Sequence, residues 1–189
     1  KNARENFAKA LQMVKPGEIV ETDIRESMIL ALVELNEYDQ AMEECQKLKT
    51  RRQQPAIALA FAKVYYYNED ISKAKDLLAN ISASKSLANN IRAEAMYYQG
   101  LIEYQENEYQ SAVAYFTVAD KILQKEATPP SYRPMLLFYI GVCYFALEDM
   151  ERADAYLQKA KSELPDIALV NEYLGRYSLK LAGIKPNSP

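Results

Sequence analysis

PMLLFYIGVCYFALEDMERADAYLQKAKSELP, residues 134–165, decides the fold. Its first half sets Leu136, Tyr139, Ile140, Cys143 and Tyr144 at the spacing i, i+3, i+4, i+7, i+8, which lines one apolar face of an α-helix. Beyond the polar turn at Glu148-Asp149, Ala153, Leu157 and Ala160 recur at i, i+4, i+7 and line a second face. Two helices joined by so short a turn run antiparallel and bury these faces against each other. Pro165, which has no N–H to donate, ends the second helix.

The same unit beats through the chain. Asn36-Glu37-Tyr38-Asp39-Gln40-Ala41, Glu69-Asp70-Ile71-Ser72-Lys73-Ala74, Asn107-Glu108-Tyr109-Gln110-Ser111-Ala112 and Asp149-Met150-Glu151-Arg152-Ala153 each run from a polar turn through an apolar residue to Ala. The four alanines stand 33, 38 and 41 residues apart. Self-similarity at such a period marks a solenoid, whose repeats bury their apolar faces only against their neighbours. The predicted class is therefore all-α, with short or no β-structure.

Residues 134–167 resemble a tetratricopeptide repeat (TPR). Leu137, Ile140, Gly141 and Tyr144 fall on its first helix, Ala153, Leu157 and Ala160 on its second, and Pro165 at its end. Small residues at Gly141, Ala153 and Ala160 let the helices approach, and the large ones fill the space beside them. The repeat at 93–126 keeps Met96, Gly100, Ala112, Phe116 and Ala119 but carries Gln99 and Glu103 at apolar positions. That at 55–81 keeps Phe61, Ala62, Tyr65, Ala74 and Leu78, and that at 22–50 is the most degenerate, with Ile29 in the small slot. Ala3, Phe7 and Ala10 repeat a second-helix spacing over 1–15, and Leu174-Gly175 opens a terminal helix over 168–182. The resemblance implies one right-handed solenoid over 1–183: a half-repeat, four full repeats, a terminal helix and a tail at 184–189. Starting at a second helix, and at Lys1 rather than Met, predicts a segment upstream. The linkers Ser82–Asn90 and Lys125–Pro134 hold the residues in excess of a minimal repeat, and are either contacts for partners or surface decoration, the latter being the expectation.

Composition narrows the function. With 23 basic against 26 acidic residues the chain lacks the cation excess that neutralises a phosphate backbone, so nucleic acid is not the expected partner. The longest uncharged run, 134–147, is shorter than the roughly 20 residues of a spanning helix, so membrane insertion is not expected either. A soluble chain is expected, with the compartment left open between cytoplasm and periplasm. Histidine is absent, which removes the commonest general base and metal ligand. No phosphate-cradling motif surrounds the five isolated glycines, three of which (Gly100, Gly141, Gly175) take the close-packing slot. Cys45 and Cys143 lack metal or redox spacing, and the repeat order puts them too far apart for a mutual disulfide. The basic residues Lys47, Lys49, Arg51 and Arg52 suit the end of a second helix, where cations complement the helix dipole. No catalytic residue, metal ligand or cofactor is expected.

What remains is aromatic. The TPR resemblance implies that the first helices line a concave groove and that one set of their residues faces it. Carried onto this chain, the partner-binding set is Lys63, Tyr66, Tyr67, Tyr97, Leu101, Tyr104, Phe138, Val142, Phe145 and Arg176. Tyr and Phe suit such a role because they offer large rigid contact area at small entropic cost. The competing reading has these rings packing between helices. Arrays of the family that clamp a carboxylate use Lys, Asn and Arg here; this chain has Glu26, Leu30, Leu59, Tyr97, Leu101, Phe138 and Val142, with only Lys63 compatible. The expected function is a non-enzymatic module that binds a peptide or helical segment of another protein. Two alternatives stand beside it: an assembly subunit whose aromatic surface packs on a sister chain or adjoining repeats, and the regulatory part of a larger enzyme.

Overall fold

A computed structural model describes residues 2–15, 19–48, 54–163, 168 and 171–175. Among them are no strands, and the helices are α1 (Asn2–Gln12), α2 (Ile19–Glu34), α3 (Tyr38–Lys47), α4 (Pro55–Tyr67), α5 (Ile71–Ala83), α6 (Asn89–Gln105), α7 (Tyr109–Leu123), α8 (Arg133–Ala146) and α9 (Met150–Glu163), with 171–175 helical as well. The pairs α2–α3, α4–α5, α6–α7 and α8–α9 pack in sequence, as a repeat array requires. They group into two compact units, residues 1–87 and 88–189. The N-terminal unit centres on Ile29, Leu32, Ala41, Phe61 and Val64, with α4 packed on both α2 and α3. In the C-terminal unit α8 packs on α7 as well as on α9.

The alanine beat lies inside each pair. Ala41, Ala74, Ala112 and Ala153 are all fully buried. Against the large residues four positions further on, Phe116 and Leu157, the first helices of the C-terminal unit set glycine. A Cβ on Gly100 would stand 2.5 Å from Phe116 Cδ1, and one on Gly141 would stand 2.7 Å from Leu157 Cγ. Gly175 differs: a Cβ there meets nothing within 4 Å, so among the described residues no second helix fills its slot.

Each pair also turns the same way. Asn36, Glu69, Asn107 and Glu148 all adopt the left-handed conformation, with φ of 58°, 62°, 63° and 63°. In every turn this residue donates its N–H to the carbonyl three back, and the next residue donates to the carbonyl five back. Glu148 thus bonds Phe145 at 3.2 Å and Asp149 bonds Tyr144 at 3.0 Å, and Asn36, Glu37, Glu69, Asp70, Asn107 and Glu108 repeat the pattern. This double bond caps the orphaned carbonyls of the first helix. Two versions alternate. In the Asn-Glu-Tyr turns the Tyr38 and Tyr109 hydroxyls donate to Asn36 and Asn107 Oδ1 at 2.9 and 2.8 Å. In the Glu-Asp turns Asp70 and Asp149 instead accept the backbone N–H of Lys73 and Arg152 at 3.4 and 3.1 Å, capping the second helix.

Asn tolerates the left-handed region, whereas Glu pays a steric cost there that Gly does not. Glu69 is exposed, so Glu69→Gly is expected to stabilise the chain by about 0.5 to 1 kcal/mol, read as a higher urea midpoint. An unchanged or lowered midpoint would show that the turn carries no strain.

The Lys125–Pro134 linker is more than decoration. Its Arg133, opening α8, reaches Asp120 of α7 at 3.4 Å and also pairs with Glu163 of α9. Asp120 is buried and takes a further bond from Gln124 Nε2 at 2.7 Å. Cys45 and Cys143 are both buried, and burial pushes the Cys143 thiol up to about 12, so it packs as a neutral apolar group. Of the basic run, only Lys47 lies within the described residues; it pairs with Glu44 at 2.6 Å, and Glu44 also meets Arg25.

Candidate functional site

The residues singled out from the sequence fall into two groups, one in each compact unit. In the N-terminal unit Lys63, Tyr66 and Tyr67 lie on the last turns of α4. Tyr67 stacks on Tyr38, the first residue of α3, with centroids 3.7 Å apart and planes at 18°, and meets Tyr66 edge-on at 5.0 Å. Asn68 Nδ2 donates to the Tyr38 carbonyl at 3.3 Å and to the Val64 carbonyl at 2.9 Å, so the backbone beneath the stack is fixed. Tyr67 nevertheless leaves 46% of its surface in solvent, and Tyr66 and Lys63 are half-buried.

In the C-terminal unit the row is more enclosed. Tyr97 (8% exposed), Leu101 (7%), Phe138 (4%) and Val142 (4%) are buried, while Tyr104 and Phe145 are half-buried. The cover comes from aromatics that the sequence reading did not assign to the site. Tyr132, from the linker, stacks on Tyr97 at 4.9 Å. Tyr139, one residue after Phe138, wedges against Tyr97 at 6.4 Å and Tyr104 at 5.2 Å, and lies flat on Phe116 at 5.8 Å. Tyr173 makes the same wedge one repeat later, edge-on to Phe138 at 5.5 Å and to Phe145 at 6.1 Å. A signal for this lay in the adjacent aromatics Tyr66-Tyr67, Tyr97-Tyr98 and Phe138-Tyr139, since neighbours on a helix point about 100° apart and cannot both face one row. Arg176 lies outside the described residues.

The electrostatics are quiet. Burial, and then Tyr173 hydrogen-bonded to it, push the Tyr104 hydroxyl up to about 12. Burial and the Glu94 carboxylate raise Tyr132 as well. Both phenols stay neutral over the physiological range, so the row offers ring faces and hydroxyl hydrogen bonds. Among the described residues no cluster of three or more potential metal ligands occurs, and no helix is long and apolar enough to cross a membrane. The N-terminal unit also holds a cleft of about 720 Å³, lined by Ile57, Phe61, Leu77, Ile81 and Leu87 with Asn80 and Ser84, and no residue of the predicted set lines it.

Tetratricopeptide repeat family models match residues 59–131 and 136–166, together more than half of the chain. The chain belongs to the tetratricopeptide repeat family, whose arrays are protein-interaction scaffolds. The solved structure of MamA AMB-1, in crystal form P212121, superposes with a TM-score of 0.62 at 16% identity, covering 85% of this chain and 86% of that one. At that identity the likeness is one of fold. No curated protein sequence matches the chain.

Proposed function

We propose that this chain is a non-enzymatic module that holds a peptide or helical segment of a partner protein against the aromatic faces of its first helices. The observation that carries the reading is Tyr67. A scaffold that needed this ring only for packing would have enclosed it, as it encloses Tyr97 and Phe138, yet 46% of Tyr67 faces solvent beside Tyr66 and Lys63. A fixed, half-open tyrosine pair next to a cation supplies an apolar anchor, hydroxyl donors and a charge at one place, which is the composition of interface hot spots. In the C-terminal unit Tyr104 and Phe145 keep enough exposure to contribute, while Tyr97, Leu101, Phe138 and Val142 support the face from beneath.

The test is recovery of partner proteins with the intact chain and with Lys63→Glu/Tyr67→Ser, beside melting curves of both. The reading expects partners to be lost while the chain still melts as a folded protein at the temperature of the assay. Equal recovery by the double variant would sink it. A second reading, assembly with a sister chain, is favoured by the apolar residues Met13, Ile19 and Val20, which are 86%, 79% and 50% exposed. Light scattering decides between the two: a dimer that dissociates on Met13→Ser/Ile19→Ser supports assembly, and a monomer at high micromolar concentration excludes it.

A further inference from the structure

The two turns inside the helix pairs of the N-terminal unit are tied to each other. Asn68, just past α4, donates from Nδ2 to the Tyr38 carbonyl at the start of α3, and Tyr67 stacks on the Tyr38 ring at 3.7 Å. This end of the unit is apolar and anionic at once. Leu35 is 59% and Tyr67 46% exposed, and Tyr38 is half-buried against Tyr67. Residues 34–39 and 67–73 carry five carboxylates, Glu34, Glu37, Asp39, Glu69 and Asp70, and one cation, Lys73. Lys73 pairs with Asp70 at 2.5 Å, so its charge is spent within the second turn. Glu34, Asp39 and Glu69 are exposed. An exposed apolar patch rimmed by polar groups is the mark of an interaction surface, and the sign of the rim selects what docks there.

We propose that the Leu35–Tyr38–Tyr67 surface takes a partner segment in which an apolar residue is followed directly by Lys or Arg. The proposal rests on the binding-module reading above and names the partner chemistry at its N-terminal face. The apolar side chain seats on Tyr67 and Leu35, and the cations that follow it lie over the carboxylates of the two tied turns. A Lys or Arg stem also packs well on tyrosine, with its charge left at the rim. Lys63 fixes the direction of the segment. It lies one turn back from Tyr67 on the same face of α4 and repels cations from that side, so the basic residues fall on the turn side of the anchor.

The experiment measures fluorescence anisotropy of labelled synthetic peptides that share a Leu-Phe anchor and differ only in the pair after it: Lys-Lys, Ser-Ser or Glu-Glu. The full chain should bind the Lys-Lys peptide about tenfold more tightly than the Ser-Ser peptide, and the Glu-Glu peptide weakest of all. At about 0.5 M salt, where the screening length is about 4 Å, that preference should shrink to about twofold or less. Glu37→Gln/Glu69→Gln should weaken the Lys-Lys peptide about fivefold and leave the Ser-Ser peptide unchanged. The Glu37 side chain makes no capping bond to α3, so its neutralisation removes charge and not a helix cap. Glu151→Gln/Asp154→Asn removes the same charge from α9 and should change neither peptide. Equal affinity for the three peptides, or no binding of the Lys-Lys peptide, overturns the proposal. So does an equal loss in the α9 variant, which would reduce the preference to a general attraction of cations to an acidic chain. If these charge tests fail while Lys63→Glu/Tyr67→Ser still loses partners, the inference falls and the binding module stands.

Discussion

Gly100→Ala is expected to destabilise the C-terminal unit by about 1 to 3 kcal/mol, even though alanine is the better helix former by about 1 kcal/mol. The added methyl would lie 2.5 Å from Phe116 Cδ1 and 2.9 Å from its Cγ. The ring has nowhere to retreat: it is fully buried, stacked on Tyr139 at 5.8 Å and tilted against Tyr97 at 6.0 Å. Phe116→Leu in the same chain should recover part of the loss, because the smaller side chain vacates the space and the two changes couple. Gly175→Ala supplies the contrast. With nothing within 4 Å among the described residues, the helix propensity gain goes unopposed, and the change should be neutral or slightly stabilising. Urea denaturation of the three variants reads the effects directly. If Gly100→Ala proves as harmless as Gly175→Ala, the close approach of α6 to α7 is not what stabilises the pair.

The pairing of helices was legible because it depends on local features repeated four times. A small residue at Ala41, Ala74, Ala112 and Ala153, and a polar turn before it, each serve one crossing, and the structure places all four alanines at full burial. The turn chemistry was half legible. Polar residues marked the place, but the left-handed Glu69 and Glu148 do not read as turn residues, and only their double backbone bonds show why they are held there. The candidate site was the least legible part, because exposure of a first-helix ring is decided one repeat away. Tyr97 and Phe138 occupy the positions expected of an open row, yet Tyr132, Tyr139 and Tyr173 cover them. No feature of Tyr97 itself announces that Tyr132 will stack on it. The linker before α8, which composition marks only as proline-rich, supplies both that ring and the Arg133 pairs.

The burial of the rings divides packing from recognition, and two substitutions separate them. Phe138→Ser is expected to cost about 3 to 5 kcal/mol, the range for removing a buried aromatic, because the ring is 4% exposed and supports Tyr139 at 5.5 Å and Tyr173 at 5.5 Å. Serine adds a hydroxyl to the cavity, which raises the cost unless it finds a partner. A variant combining Tyr104→Ser with Phe138→Ser should therefore melt well below the unaltered chain, and its loss of partners would say nothing about recognition. Tyr67→Ser should behave otherwise. The ring is 46% exposed and gives up a stacking contact with Tyr38 and an edge contact with Tyr66, each worth about 0.5 to 1.5 kcal/mol. If Tyr67 is an interface anchor, partner affinity should fall by about 2 kcal/mol or more, close to thirtyfold, while the melting temperature falls by less than Phe138→Ser lowers it. Melting temperature and partner affinity measured on the same two variants give opposite rankings if this division holds. A Tyr67→Ser chain that melts as early as Phe138→Ser would place Tyr67 in the core and leave the N-terminal unit without its anchor.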